Sequence, residues 1–193
     1  LFFCMEHIHL AAIQSASRTA AHAHAGMTRK DGTTPYIVHP ARVAALVGHC
    51  GGNHIAIISA WLHDIFEDCT PEACSLAQET LQTLPLPEGE RKKIQAVLRA
   101  LTKNPDLPKE AQIADSLDRI LTSPPEAVLV KLCDRIDNLV DAADRDESFR
   151  TTYYRKSRLV LEKLRPAALS NGYDKALGIL EMLMDNAPGS QQS

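Results

Sequence analysis

Four ionisable side chains close an otherwise apolar stretch of this chain. The segment His54-Ile-Ala-Ile-Ile-Ser-Ala-Trp-Leu62 runs into His63-Asp64 and, two apolar residues later, into Glu67-Asp68. Read as one helix from His54 to about Glu67, it brings residues three and four apart onto one face. His63 then stacks on Glu67, and Asp64 on both Glu67 and Asp68. Carboxylates gathered this closely repel one another and are costly to desolvate, so they call for a compensating charge. A divalent cation is the natural one. The plainer alternative is that these groups mark the solvated end of a buried helix.

Two further segments favour the cation. His39 ends Tyr36-Ile37-Val38-His39 and precedes Pro40 at a loop-to-helix junction. A lone histidine there is more often a cap or a core hydrogen-bonder than a ligand. Asp134 lies in Lys131-Leu-Cys-Asp134-Arg-Ile-Asp137-Asn138, one turn beyond the apolar run Ala127–Val130, with Asn138 at i+4. Its simplest structural role is an ion pair with Lys131 or Arg135, neither of which is expected to share its face well. Taken in order, the chain offers a histidine, a His-Asp pair and a distant aspartate. Two imidazoles and two carboxylates suit a borderline or hard divalent ion in six-fold coordination, with positions open to water and substrate. A structural zinc site would be closed and built on thiolates.

The elements that must position these groups are helical. Apolar residues recur at helical spacing, β-branched runs are few, and the expected fold is all-α, a single helical bundle with the metal site in its centre. The expected helices run from about Ile8 to Ala25, Pro40 to Val47, His54 to Glu67, one restarting at Thr70-Pro71, then Glu88 to Leu101, Lys109 to Leu121, one opening at Ser123 and ending near Ala143, Glu147 to Ala168, and Asp174 to Met184. Asn53 and Thr70 are the expected N-caps of their helices, and Pro71 fits the first helical position. Ser123-Pro-Pro-Glu126 reads as a capping box. A polar loop from Gly26 to about Pro35 separates the first two helices.

Composition sets the outer bounds. The 193 residues, 45% hydrophobic and 23% charged, suffice for one well-buried domain, expected over about residues 8–185 with a flexible tail over 187–193. A net charge of -3 gives no basic footprint for nucleic acid. The five cysteines (Cys4, Cys50, Cys69, Cys74 and Cys133) are odd in number and form no C-x-x-C pair, which points to a reducing cytoplasm and away from a disulfide framework. The opening Leu1-Phe2-Phe3-Cys4 is too short for a signal peptide or a membrane span, and Met5 is a candidate natural start.

The order H…HD…D resembles the HD phosphohydrolase superfamily. A closer likeness covers about residues 8–185. His24-Ala-Gly-Met27-Thr-Arg29-Lys30-Asp-Gly32, continuing to Pro35–Pro40, resembles the opening of the hydrolase domain in RelA/SpoT homologues. Trp61-Leu-His63-Asp64-Ile-Phe-Glu67-Asp68 and Val130–Leu139 are similar to two further blocks of that domain, and Ala100-Leu-Thr-Lys103 to a fourth. The resemblance is to the small stand-alone alarmone hydrolases, and it implies removal of the 3′-pyrophosphate from guanosine tetra- and pentaphosphate with manganese. It further implies that His39, His63, Asp64 and Asp134 hold the metal and that Glu67 and Asp68 position and deprotonate water. Arg29 and Lys30 would lie against the purine base, and Asn138 would contact the nucleoside. Without the resemblance, Arg29 and Lys30 read as a solvated basic loop. His24 is either a second-layer group at the metal site or a structural helix-end residue.

Two positions depart from the family pattern. Met27 stands where glutamine is common, and Asp137 where histidine is frequent. Asp137 adds negative charge beside Asp134, which either tightens metal binding or weakens phosphate binding. These departures keep the adenosine alarmone (p)ppApp open as a substrate. Two rivals remain: another HD enzyme such as a nucleoside monophosphate phosphatase, and a nucleotide sensor without catalysis.

Overall fold

The computed structural model describes residues 2–143 and 145–185, with side chains from Glu6 onward. The expected tail at 187–193 lies outside the described residues. Ten helices account for nearly all regular structure among them: α1 (Phe2–Ala23), α2 (Val38–His49), α3 (His54–Leu62), α4 (Ile65–Asp68), α5 (Pro71–Thr83), α6 (Glu88–Leu101), α7 (Lys109–Leu121), α8 (Glu126–Ala142), α9 (Glu147–Ser170) and α10 (Asp174–Asp185). Extended pairing is limited to one isolated bridge between Thr28 and Pro35. The all-α expectation holds. Among the described residues no helix is long and apolar enough to cross a membrane.

The core follows from where the apolar positions fall. Helix α8 is buried along almost its whole length and packs against α2, α3, α6, α7, α9 and α10. Leu129, Leu132 and Ile136 on α8 meet Val43, Val47, Leu164 and Leu180 in one apolar cluster. A second cluster joins α1, α3, α5 and α6 through Ile58, Leu62, Leu81 and Ile94. Ala12, Ala16 and Ala20 are fully buried at i, i+4 and i+8 and let α1 approach α3 closely. Helix α3 therefore lies between both clusters. Each large side chain so buried contributes about 1.5–3 kcal/mol relative to exposure.

Several local expectations hold and several are corrected. The Asn53 side chain accepts from Ala56 N–H at 3.0 Å, and Thr70 accepts from Ala73 N–H at 3.3 Å, each capping its helix. Ser123 does not cap α8. Its hydroxyl turns back to the Ile120 carbonyl at 3.0 Å, and Pro125 precedes the helix without a side-chain cap. The glutamate of the expected capping box, Glu126, is instead buried, where it accepts from Asn53 Nδ2 at 2.9 Å. The helix beginning at His54 is not continuous to Glu67. It ends at Leu62, His63 and Asp64 form the corner, and a single turn, α4, follows. Helix α2 is longer than expected at both ends.

Candidate active site

The corner between α3 and α4 aims both members of the His-Asp pair at one point. His39, in the first turn of α2, and Asp134, halfway along α8, arrive there from neighbouring helices. His39, His63 and Asp134 are all buried, and each offers one ligand atom within 4.8 Å of the others. Asp64 lies between the two imidazoles, its Oδ2 3.3 Å from His39 Nε2 and its Oδ1 3.2 Å from His63 Nε2. The four residues singled out as metal ligands are thus brought together.

The rings are held so that one nitrogen of each faces this point. His39 Nδ1 donates to Asp137 Oδ2 at 2.6 Å, since a carboxylate can only accept. His63 Nδ1 donates to the Ala60 carbonyl at 2.8 Å. Both Nε2 atoms are left to the centre, and that of His63 is buried without a hydrogen bond. A buried, unpaired imidazole nitrogen among carboxylates fits a divalent cation, and outer partners of this kind commonly fix a ligating histidine.

The electrostatics agree. Burial works against a charged His39, yet its bonds to Asp134, Asp137 and Asp64 outweigh burial and push its pKa up to about 11. His63 is likewise raised, with Asp64 overcoming desolvation. Asp64 and Asp134 are held below the usual carboxylate range against the cost of burial, Asp64 mainly by His63 and Asp134 mainly by Lys131 and Arg135. The centre is a concentrated negative potential that attracts protons or a metal ion.

Asp134 corrects one expectation. Lys131, at i−3, does share its face and approaches Oδ2 at 3.0 Å, with Arg135 Nη2 at 3.6 Å. The other oxygen, Oδ1, faces the histidines at 3.5 and 3.8 Å. One carboxylate therefore serves both roles. Asn138 Nδ2 donates to the Asp134 side chain and to its backbone carbonyl, the latter at 2.9 Å.

Glu67 and Asp68 diverge because α4 is a separate turn. Glu67 accepts from the Lys103 backbone N–H at 2.7 Å and pairs with the Lys103 ammonium, so it does not stack on His63. Asp68 is exposed and shares the single Tyr36 hydroxyl proton with Asp64, at 2.6 and 2.8 Å. Burial and both acids push the Tyr36 pKa up, which keeps the phenol a donor. His24 stacks on the Tyr36 ring at 4.7 Å, and burial lowers its pKa.

Arg29 and Lys30 project from a compact loop. Asp31 accepts from Thr33 and Thr34 N–H, both at 2.8 Å, and Gly32 takes a positive φ of 77° that favours glycine. Arg29 bonds Asp141 at 3.0 Å and Asn138 at 3.1 Å. Lys30 donates to the Tyr153 hydroxyl at 2.9 Å. Arg29, Lys30, Asn138, Asp141 and Tyr153 line one cavity of about 900 Å³ with the His39–His63–Asp64–Asp134 centre, together with Lys103, Lys109, Lys131, Arg135, Arg145 and Lys156.

Sequence reasoning gave no role to Arg42 or Asp141. Arg42 grips Asp137 with two nitrogens and also reaches Asp141. The signal was present, since Arg42 lies at i+3 from His39 and Asp141 at i+4 from Asp137, which places each pair on one helical face. The wall formed by Tyr153 and Lys156 comes from α9, and nothing in its sequence pattern marked it.

A bundle built on α8, with a His-His-Asp-Asp centre opening into a cation-lined cavity, defines an HD-type fold and site. The HD domain family model matches residues 16–167, and the chain belongs to that family. Among its relatives, the mouse guanosine-3′,5′-bis(diphosphate) 3′-pyrophosphohydrolase MESH1 is 33% identical over 134 residues, 68% of this chain and 69% of that protein. The protein of the same function name from Aquifex aeolicus is 31% identical over 68% of this chain, a match that spans only 18% of the Aquifex protein. A solved structure described as "A metazoan ortholog of SpoT hydrolyzes ppGpp and plays a role in starvation responses" superposes with a TM-score of 0.66 at 23% identity. It covers 87% of this chain and 94% of that one, and the likeness is one of fold.

Proposed function

We propose that this protein is a manganese-dependent phosphohydrolase of the cytoplasm that removes the 3′-pyrophosphate of (p)ppGpp, giving GDP or GTP and pyrophosphate. The observation that carries this reading is that an acidic His39–His63–Asp64–Asp134 centre faces a cluster of lysines and arginines across one cavity. The mouse and Aquifex relatives bear names for the same reaction, which supports it.

His39, His63, Asp64 and Asp134 would hold the ion, and two carboxylates beside two imidazoles suit manganese. When bound, the ion polarises a phosphoryl oxygen and makes attacking water more acidic. Glu67 or Asp68 takes the proton from that water, which attacks phosphorus while the bond to the ribose O3′ breaks. A proton returned to O3′ completes the balance. Lys103 and Tyr36 orient the two candidate bases. Lys131 and Arg135 offset the charge of the departing pyrophosphate, Lys156 on the cavity wall helps to draw the polyanion in, and Arg29, Lys30 and Asn138 contact the nucleoside.

A product assay tests this. Metal-stripped protein reloaded with manganese is incubated separately with ppGpp, ppApp, GTP and dGMP, and the products are separated by anion exchange. Pyrophosphate with GDP is expected. Pyrophosphate from ppApp alone would move the base preference to adenine. Phosphate from dGMP alone would make the protein a nucleotidase, and no turnover of any substrate would make it a sensor.

A further inference from the structure

At the far end of α3 from the His63–Asp64 corner lies a second cluster of metal-binding side chains. His54 is the first residue of α3, Glu90 lies in the first turn of α6, and His9 faces them from α1. Each offers one ligand atom, and the three lie within 4.8 Å of one another. At a rise of 1.5 Å per residue, nine residues of helix separate His54 from His63 by ~13 Å, so the two clusters share no ligand.

The details at this cluster are unusual for a hydrogen-bonded helix junction. His9 and His54 stack face to face, with ring centroids 3.6 Å apart and planes 8° from parallel. His54 Nε2 meets Glu90 Oε2 at 2.9 Å, which satisfies one ring. His9 Nε2 is buried without a hydrogen bond, an omission that leaves its desolvation uncompensated. Side-chain exposures of 17% for His54 and 26% for Glu90 leave the cluster partly open to solvent.

We propose that His9, His54 and Glu90 form a second metal site, selective for a borderline divalent ion of the zinc class and separate from the catalytic centre. Two imidazoles and one carboxylate with an open fourth position are a recognised zinc ligand set. With a single carboxylate the site is poor in oxygen donors, which disfavours magnesium, calcium and manganese. Ligand atoms around tetrahedral zinc at ~2.1 Å sit ~3.4 Å apart, a spacing close to that of donors already within 4.8 Å of one another. An ion lies in the plane of each imidazole that binds it, so the parallel rings must splay on binding. His9 has no hydrogen bond at Nε2 to lose in that motion. The ion joins α1, α3 and α6 around their shared apolar cluster and braces the start of the helix whose other end carries His63 and Asp64.

The test uses the full chain, stripped of metal and titrated with zinc by calorimetry, with bound metal counted after desalting. Two zinc ions per chain are expected for the wild type. One is expected for the double variant His9→Gln/Glu90→Gln, which should keep its manganese-supported turnover. Glu90→Gln alone, the milder change, should weaken the second binding event at least tenfold. The visible spectrum of the cobalt-loaded protein should lose the bands of one low-coordinate ion in the double variant. Zinc should also raise the melting temperature of a His63→Ala protein, in which only the new site is intact. A wild type that binds one zinc, or a double variant that still binds two, overturns the proposal. These readouts do not depend on which nucleotide the enzyme cleaves.

Discussion

His39 is held at Nδ1 by Asp137, one of the two residues expected from the sequence to depart from the family pattern. Its carboxylate accepts from His39 Nδ1 and is itself held by Arg42, so its charge is offset and its position fixed. Of the two effects expected of Asp137, this geometry supports tighter metal binding over weaker phosphate binding. The carboxylate faces His39 and Arg42, and Arg42 also holds Asp141. Asp137→Asn keeps the shape and removes the charge. Manganese affinity should fall ~10–100-fold, the usual scale for an outer partner of a ligating histidine. Competition with a chelator measures it, and an unchanged Kd would leave Asp137 a packing residue. At Glu67 the expectation differs, because the side chain touches Lys103 and not the histidines. Glu67→Gln should retain manganese and substrate binding and lower kcat by ~10²-fold or more. Wild-type turnover in that variant would assign the base role to Asp68 alone.

At the scale of elements, the turn between α2 and α3 does most to set the site. It brings His39 on α2 and His63 at the end of α3 onto the same face of α8. Gly52 makes that turn possible. A Cβ there would sit 2.4 Å from Val47 Cγ1, 2.9 Å from the Val47 carbonyl and 2.9 Å from Leu129 Cδ2. Two of these atoms are in the packed core and one is backbone, so none yields cheaply. Gly52→Ala should therefore destabilise the protein by ~1–3 kcal/mol, the cost of overpacking. Urea unfolding with an unchanged slope would measure it, and a neutral result would mean that the α2–α3 turn is loose. Much of the helix order was legible in the sequence, because Asn53, Thr70-Pro71 and the apolar spacing are local signals. The break at His63 was not, since the sequence there continues as good helix and the corner comes from packing against α2 and α8. The failed cap at Ser123 has a similar origin: Glu126 is drawn to Asn53, a partner 73 residues away in sequence.

At the scale of the whole molecule, a net charge of -3 conceals a division of charge inside one cavity. The candidate ligands His39, His63, Asp64 and Asp134 were legible because metal chemistry restricts residue types and spacing, whereas Asp137 and the Ala60 carbonyl, which order the two histidines, were not. Of the opposing cations, Arg29 and Lys30 were reached only through the family resemblance, and those on α8 and α9 were not read as lining a cavity, because single basic residues carry no pattern. Their crowding is visible at Lys156, whose pKa is lowered first by burial and then by Arg135, Lys30 and Lys103. Cations left this close to one another gain most from a polyanion, which relieves their repulsion on binding. If pyrophosphate is the group they meet, substrate capture should be strongly salt-dependent. Raising ionic strength from about 0.01 to 0.15 M shortens the screening length from about 30 to 8 Å, and kcat/KM should fall steeply over that range. Lys156→Met should raise KM several-fold and flatten the salt dependence with kcat nearly unchanged, because the lysine attracts the anion and does not touch the ion-binding centre. Steady-state kinetics on ppGpp at several salt concentrations decide it. A drop in kcat at constant KM would instead place Lys156 at the bond being broken, and an unaltered salt slope would show that the remaining cations alone draw the substrate in.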